Sequence, residues 1–463
     1  MASGPGIGSA VRIGPGGPPR VNTGDTDEAK GAGSQKNFMA PGSASRAAAV
    51  YGLVMLTLIY SLNFLDRTVI TILIDPIKHD YHLSDKVMGF ISGFGFVIMY
   101  SILAAPVARW ADRGNRRSII TWGLVLWSGM TALAGVAQNA VQLTLSRFGV
   151  GIGEAAGTAP STSMISDLFR GEQRSTAMAV YQLGPVIGGF LGAFIGGWVN
   201  QYYGWHHAFL VAGIPGLIVA VIFRLTVKEP VRGISEEKKV NTGQQKFWET
   251  LGFMWRQRCY MLILIGFCFT TFTQFGFGTW AAPFLGRIHH LNTAQIGTYI
   301  GTVRAGAGLV GTLGGGYFSD WAATHWDIRW KIYVSGICSI LAFPGVLLFV
   351  FSQSLFWCIV GFTIVSAMSP VHVGPIVAAS HSTVKVGMRS FSTSIIYLIA
   401  ELIGLGLGPF LIGVFNDHYR LRVGVDVIRY SMSTAAITTF VGGSIFLIAA
   451  QFFQRDMTRA SAD

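Results

Sequence analysis

Charge is what this sequence has least of. Asp, Glu, Lys and Arg make up only 12% of its 463 residues, against 51% hydrophobic residues. Ordinary usage is about 25% charged, so the chain cannot cover a water-facing surface in the usual way. Apolar runs near 20 residues recur along it, each long enough for a bilayer core. These features predict an all-helical, multi-pass membrane protein with room for about twelve spans. Cysteine is scarce too. Cys259, Cys268, Cys338 and Cys358 lie in or beside apolar segments without metal-like spacing, and read as small core residues. No metal and no cofactor is expected. Neither H-E-x-x-H nor G-x-S-x-G occurs, and the spans put no histidine near a nucleophile, which argues against an intramembrane hydrolase or any other enzyme.

Residues 1–45 are rich in Gly, Pro, Ala and Ser and lack the apolar stretch of a signal peptide. They read as a disordered tail. Six helices are expected over 46–226: 47–75, 84–111, 118–137, 141–167, 175–199 and 207–225. A polar linker at 227–246 separates them from a second set over 247–453. That set comprises 247–284, too long for one straight span and therefore expected to start along the surface, then 294–320, 330–351, 355–380, 388–416 and 428–453. A short tail, 454–463, follows. The tail and linker hold no folded domain, which disfavours a receptor or scaffold.

The net charge of +12 is not a nucleic-acid signature, because much of it lies in turns that share one side when the helices alternate. Arg113, Arg116 and Arg117 fall on the 2–3 turn, Arg170 and Arg174 on the 4–5 turn, and Lys385 and Arg389 on the 10–11 turn. Lys228, Arg232, Lys238 and Lys239 lie in the linker. Lys78, Lys86, Arg287, Arg420 and Arg422 are exceptions. Positive loops face the cytoplasm, so both termini are expected there, with the chain in a bacterial inner membrane and acting as a monomer. The two halves repeat: helix 2 parallels helix 8, and YQLGPVIGGFLGAFIGGWVN in helix 5 parallels LIAELIGLGLGPFLIGVFND in helix 11. Two such halves describe alternating access around a midplane site.

One stretch concentrates the chemistry, SRFGVGIGEAAGTAPS at 146–161. At ~100° per residue, Arg147, Gly151, Glu154, Thr158 and Ser161 share a helix face, while Gly149, Gly153 and Gly157 form a small-residue stripe on which another helix can pack. The opposite charges sit about two turns, roughly 10 Å, apart. Charge in mid-membrane is costly and faces a cavity or a partner.

The turn Ala108-x-x-x-Asp112-Arg113-Gly114-x-Arg116-Arg117 resembles the signature turn of the major facilitator superfamily, with alanine for the leading glycine. Gly316-x-x-x-Asp320 echoes it in the second half. Gly184-Pro185-Val186-Ile187-Gly188-Gly189 resembles a helix 5 motif of exporters and antiporters in that superfamily. The resemblance implies a twelve-helix fold of two pseudo-symmetric six-helix bundles. With YSLNFLDRTVI in helix 1, and Arg147 and Glu154 on helix 4, the chain looks like the bacterial branch of the spinster family. That implies proton-linked export of lysophospholipid- or sphingosine-phosphate-like lipids. A small organic anion of sugar-acid type is the alternative cargo, and multidrug export is the third reading.

The ionisable residues within the expected spans are Asp66, Arg67, Arg147, Glu154, Arg304, Glu401 and His372. Asp66 and Arg67 point about 100° apart on a helix and cannot pair well, so each should seek helix 4. Asp66 and Glu154 are the expected proton-coupling carboxylates. Arg67 and Arg147 suit an anionic headgroup, since a guanidinium grips phosphate or carboxylate bidentately. Asn63, Phe64, Phe148, Thr158, Tyr181 and Glu401 complete the expected binding set. Glu401 and Arg304 are expected to pair. Asp112, Arg113, Arg116, Arg117 and Arg170 read as a charge latch between halves, with Asp320 as its counterpart. Gly184 and Pro185 read as a bend for rocking helices. His372 reads as a packing or gating residue.

Overall fold

The computed structural model describes residues 46–169, 171–230 and 247–461. The chain is helical throughout these segments, and the helices fall in the expected order. Eight stretches are long and apolar enough to cross a membrane, the last of them, Phe391–Ser461, taking in both final helices. Helix 1 is Arg46–Ile72. Helix 2 is split by Gly93 into Asp85–Ser92 and Phe94–Arg113. Helix 3 is Arg116–Ala134. Helix 4 is not the single rod expected, but breaks at 155–157 into Ala140–Glu154 and Thr158–Leu168. The break ends the shared face just beyond Glu154. Helix 5 comprises Gly171–Tyr181 and Gly184–Tyr203, and helix 6 is Trp205–Thr226.

In the second half a separate ten-residue helix, Phe247–Arg256, precedes helix 7 at Arg258–Phe272, as the excess length predicted. Helix 7 passes through a π-helical turn, Thr273–Phe277, and continues as Gly278–His289. Helices 8 and 9 are Thr293–His325 and Trp330–Phe351. Helix 10 comprises Leu355–Met368, a 3-10 turn and Val373–Ser382. Helix 11 comprises Arg389–Glu401, a π turn at Leu402–Leu407 and Gly408–Val423, and helix 12 is Val427–Ser461. Polar residues before four of the described helices satisfy orphan amides. Asn115, Asn139 and Ser84 accept from backbone N–H groups, and Asn292 forms a full capping box with Gln295.

The backbone repeats as the sequence does. Four described residues have positive φ, in two matching pairs: His82 and His290 in the 1–2 and 7–8 turns, Gly204 and Gly424 between helices 5 and 6 and between 11 and 12. Pro185 and Pro409 correspond as well. Each stands at the start of a helix piece, after a break in helix 5 and after the π turn in helix 11. The missing N–H is harmless there, so Pro185 begins a rod rather than bending one. Helices 3 and 6 pack as 9 and 12 do, and 3 and 4 as 9 and 10 do. Helix 5 packs on helix 1 through Gly188 and Gly192, where a Cβ would strike the backbone of Ser61 or Leu65. The stripe predicted on helix 4 packs likewise, with Gly149 on Met130 and Gly153 on Gly123 and Trp127 of helix 3.

The halves meet through helices 5 and 8 and helices 2 and 11. Gly197 faces Gly297 backbone to backbone, and Gly93 lies against the carbonyls of Leu405 and Gly406. These contacts gather at the end opposite the basic turns. Arg287 from the second half bonds Asp75 and Asp85 of the first, the latter at 2.6 Å, and Lys78 also holds Asp85. Asp417 accepts from the amides of Asp85 and Lys86 at 3.0 and 2.7 Å. Toward the basic end Ile102 of helix 2 and Val310 and Tyr317 of helix 8 are exposed. The ion pairs and backbone contacts that join the halves close the protein at the far end.

Two cationic exceptions to the sidedness pattern, Lys78 and Arg287, thus belong to a clamp between halves. Arg287→Ala removes its centre. Charge-assisted bonds contribute about 1.5–3 kcal/mol, so the closed-to-open ratio at the far end should fall roughly 10–100-fold. Spin labels at Tyr203 and Leu421, exposed on opposite halves at that end, should show a longer-distance population in the variant. An unchanged distribution would contradict the assignment.

Candidate functional site

Helix 1 presents Arg67 and Asp66 on different sides, and helix 4 receives both. The Arg67 Nε donates to Glu154 Oε2 at 2.7 Å. Glu154 is fully buried, whereas the Arg67 side chain keeps 14% exposure. The guanidinium is boxed by aromatic faces, 4.5 Å from the Phe96 ring centre, 5.1 Å from Tyr100 and 5.3 Å from Phe64. Cation–π attraction holds the planar group in place without consuming its donors.

Asp66 is buried on the other side of helix 1, within electrostatic reach of Arg147 and Glu154. Among the described residues its two oxygens have no hydrogen-bond partner, nor do Arg147 Nε and Nη1 or Glu154 Oε1. Asn63 lies beside Glu154, and Glu401 of helix 11 acts on both Arg67 and Glu154 from the second half. Arg67 finds the helix 4 partner expected of it, whereas Asp66 lies only within electrostatic reach of that helix.

A cavity of about 290 Å³ lies between the halves. Arg67 enters it from helix 1 and Arg304 from helix 8, and among the described residues no carboxylate lines it. Phe64, Phe190, Phe275, Phe277 and Phe362 supply an apolar wall. Thr68, Thr71, Ser92, Gln274, Thr279 and Ser366 supply hydrogen-bonding groups. Gly189 and Pro185 of helix 5 reach it as well.

Several expectations are corrected. Arg147 does not line the cavity. It is 1% exposed, in the wall behind Arg67, and its guanidinium is 5.9 Å from the Phe96 ring that also packs on Arg67. Asp66 and Glu154 share that wall. Asn63, Phe148, Thr158, Tyr181 and Glu401 are not lining residues either. Tyr181 instead stacks on Tyr60 at 4.4 Å, with Tyr60 edge-on to Phe64, and so supports the wall from outside.

Arg304 does not pair with Glu401. Its Nη2 donates to the Gly278 carbonyl at 2.9 Å, just past the π turn of helix 7. A Cβ at Gly278 would overlap the guanidinium. The second-half arginine is therefore seated on backbone, and the second-half carboxylate faces the first-half arginine.

The charge latch is also corrected. Arg116 is buried and bonds Asp167 at 2.5 Å and Glu229 at 2.8 Å, with Ser163 at 2.9 Å. Arg117 donates its backbone N–H to Glu229 and a guanidinium N–H to the Val227 carbonyl. Arg116 ties helix 3 to helix 4 and, with Arg117, to the chain after helix 6, all inside the first half. Asp320 pairs with Lys331 inside the second, at 3.6 Å. Asp112 and Arg113 are exposed at the basic end, and Arg170 lies outside the described residues. Gly184 packs on Tyr60. His372 is buried against Phe267 and bonds Thr270 at 3.0 Å, away from the cavity.

Reading the sequence missed Phe96 and Tyr100, which cage Arg67, and the whole Arg287 clamp. The charges of that clamp were visible as exceptions to the sidedness rule, while nothing in helix 2 marks its aromatics as a cage.

Comparison with known proteins agrees with this architecture. The sequence profile described as Major Facilitator Superfamily matches residues 56–409. The chain is 27% identical to an "MFS-type efflux pump" of Mycolicibacterium smegmatis, over 94% of this chain and 97% of that one. It is 29% identical to a "Probable galactarate/D-glucarate transporter GudP" of Bacillus subtilis, over 62% of this chain and 68% of the relative. Among solved structures, it is similar to a bacterial homolog of the human lysosomal transporter Spinster in an inward-facing, unoccupied conformation. The TM-score is 0.80 at 27% identity, covering 89% of this chain and 99% of that one.

Proposed function

Because this chain belongs to the major facilitator superfamily, we propose that it is a proton-coupled secondary carrier of amphipathic anions. The cargo class is lysophospholipid- or sphingosine-phosphate-like, and the mechanism is alternating access. One observation carries the reading: Arg67 both faces the cavity and holds Glu154 at 2.7 Å. An anionic headgroup that takes the guanidinium releases the carboxylate. Left buried and ionised without its partner, Glu154 would be costly, so it takes a proton. Anion and proton therefore bind together.

Charge balance supports this. Three guanidiniums, Arg67, Arg147 and Arg304, stand against three carboxyls, Asp66, Glu154 and Glu401, so the set is balanced when all are ionised and an added anion is matched by an added proton. Arg304 on the opposite wall gives the headgroup a second cation. The phenylalanines suit an acyl chain, and the basic end is the cytoplasmic one by the positive-inside rule. Sharing of Arg67 also sets the direction of coupling. The two species travel together, so net export requires the lipid's own outward gradient to exceed the inward proton gradient.

A sugar acid is the second reading, favoured by the threonines, serines and Gln274 in the cavity and by the GudP relative. Uptake into proteoliposomes under an imposed pH gradient separates the two. The proposal expects an anionic lysolipid to follow the gradient and a sugar acid to lag well behind. Gradient-driven movement of the sugar acid alone would reject the lipid, and movement of neither would reject the carrier.

A further inference from the structure

The helix Phe247–Arg256 stands apart from helix 7. Gln257 between them is extended (φ −86°, ψ 106°), and helix 7 starts where the Cys259 N–H donates to Asp456 of helix 12 at 2.7 Å. One face of the short helix, with Thr250 and Met254, is buried against the second half. The opposite face carries Trp248 and Trp255, seven residues apart and so on the same side. They are 76% and 71% exposed. A helix that already buries one apolar face and still turns two tryptophans outward is poorly suited to water.

Cations surround it. Arg256 and Arg258 are exposed. The guanidiniums of Arg258 and Arg455 lie 5.9 and 5.5 Å from the Phe452 ring, and Lys385 Nζ lies 5.3 Å from Phe253 of the helix itself. Among the described residues, Glu249 lies on the helix itself and Asp456 is buried as the cap of helix 7. The level in the membrane is fixed through helix 12. Gln454, two residues from Asp456, donates to Asp327 at 3.3 Å in the 8–9 turn. That turn bears Trp326 and Trp330, with ring centres 4.5 Å apart. Two tryptophan-bearing elements thus share one height at the basic end.

We propose that Phe247–Arg256 is an interfacial helix that docks on an anionic leaflet. Trp248 and Trp255 sit at the headgroup–acyl boundary, where indoles are favoured, and Arg256 and Arg258 meet lipid phosphates. The helix anchors the second half to the membrane plane at the point where helix 7 enters.

Gly252 offers a probe. It lies between the two tryptophans on the exposed face, and a Cβ there meets nothing within 4 Å. Cys259, Cys268 and Cys358 are buried. A nitroxide on Gly252→Cys, in a Cys338→Ala background of the full chain, is to be measured in vesicles of phosphatidylcholine with phosphatidylglycerol. Oxygen collisions should exceed those of a water-soluble nickel complex several-fold. That excess should shrink when Trp248→Ala and Trp255→Ala are added. Nickel in excess would place the face in water, and suppression of both reagents would mean that protein covers it. Either result overturns the proposal.

Discussion

A protein with both Arg67→Gln and Glu154→Gln should remain folded and lose anion transport by about 100-fold or more. The double change is the informative one. Arg67→Gln alone leaves Glu154 buried and ionised, and removing one partner of a buried pair costs about 3–5 kcal/mol, so lost activity would be confounded with lost protein. The paired amides retain the shape and keep a hydrogen bond across the 2.7 Å contact. They remove the cavity's first-half cation, leaving Arg304 alone on the far wall. A charge-assisted bidentate grip is worth about 1.5–3 kcal/mol or more in this setting, which converts to roughly 10–100-fold in affinity. Loss of proton exchange compounds it in turnover. Monodisperse elution and an unchanged thermal transition would establish folding, and proteoliposome uptake would read transport. Uptake within a few-fold of wild type would remove Arg67 from the mechanism.

Glu154→Gln alone should bind cargo well and lose its pH response. In the wild type, cargo and Glu154 compete for one guanidinium, so protonation of the carboxyl favours the anion. By linkage, the anion favours protonation equally. Affinity for the anion should therefore strengthen as pH falls and weaken as it rises. The amide mimics the protonated carboxyl permanently. The variant should hold the wild type's low-pH affinity at every pH, and an imposed pH gradient should no longer drive accumulation. Asp66 is the internal comparison. It is buried in the same wall without a bonded partner, and Asp66→Asn should shift the pH response without abolishing cargo binding. Equal pH dependence in Glu154→Gln and wild type would reject the coupling.

What could be read from the sequence is what helix geometry alone dictates. Adjacent Asp66 and Arg67 had to diverge, and Arg67 meets helix 4. Gly149 and Gly153 had to face a neighbour, and it is helix 3. The extra residues before helix 7 had to lie elsewhere, and they form Phe247–Arg256. What was not legible depends on helix rotation and on local irregularity. Arg67 and Arg147 are equivalent as letters, but the way helices 1 and 4 are turned puts one in the cavity and the other behind it. Arg304 found a backbone carbonyl beside a π turn, and no residue pattern announces such a turn. Arg116 was expected to bridge the halves. Its acceptors, Asp167 and Glu229, both belong to the first half, and only the packing of helices 3, 4 and 6 brings them together.

The measurement closest to the central claim is the number of protons taken up when an anionic lysolipid binds the purified protein in weakly buffered solution. Sharing of Arg67 predicts net uptake on binding in the wild type, falling toward zero in Glu154→Gln at similar occupancy. Binding without proton uptake, or the same uptake in the variant, would contradict the account.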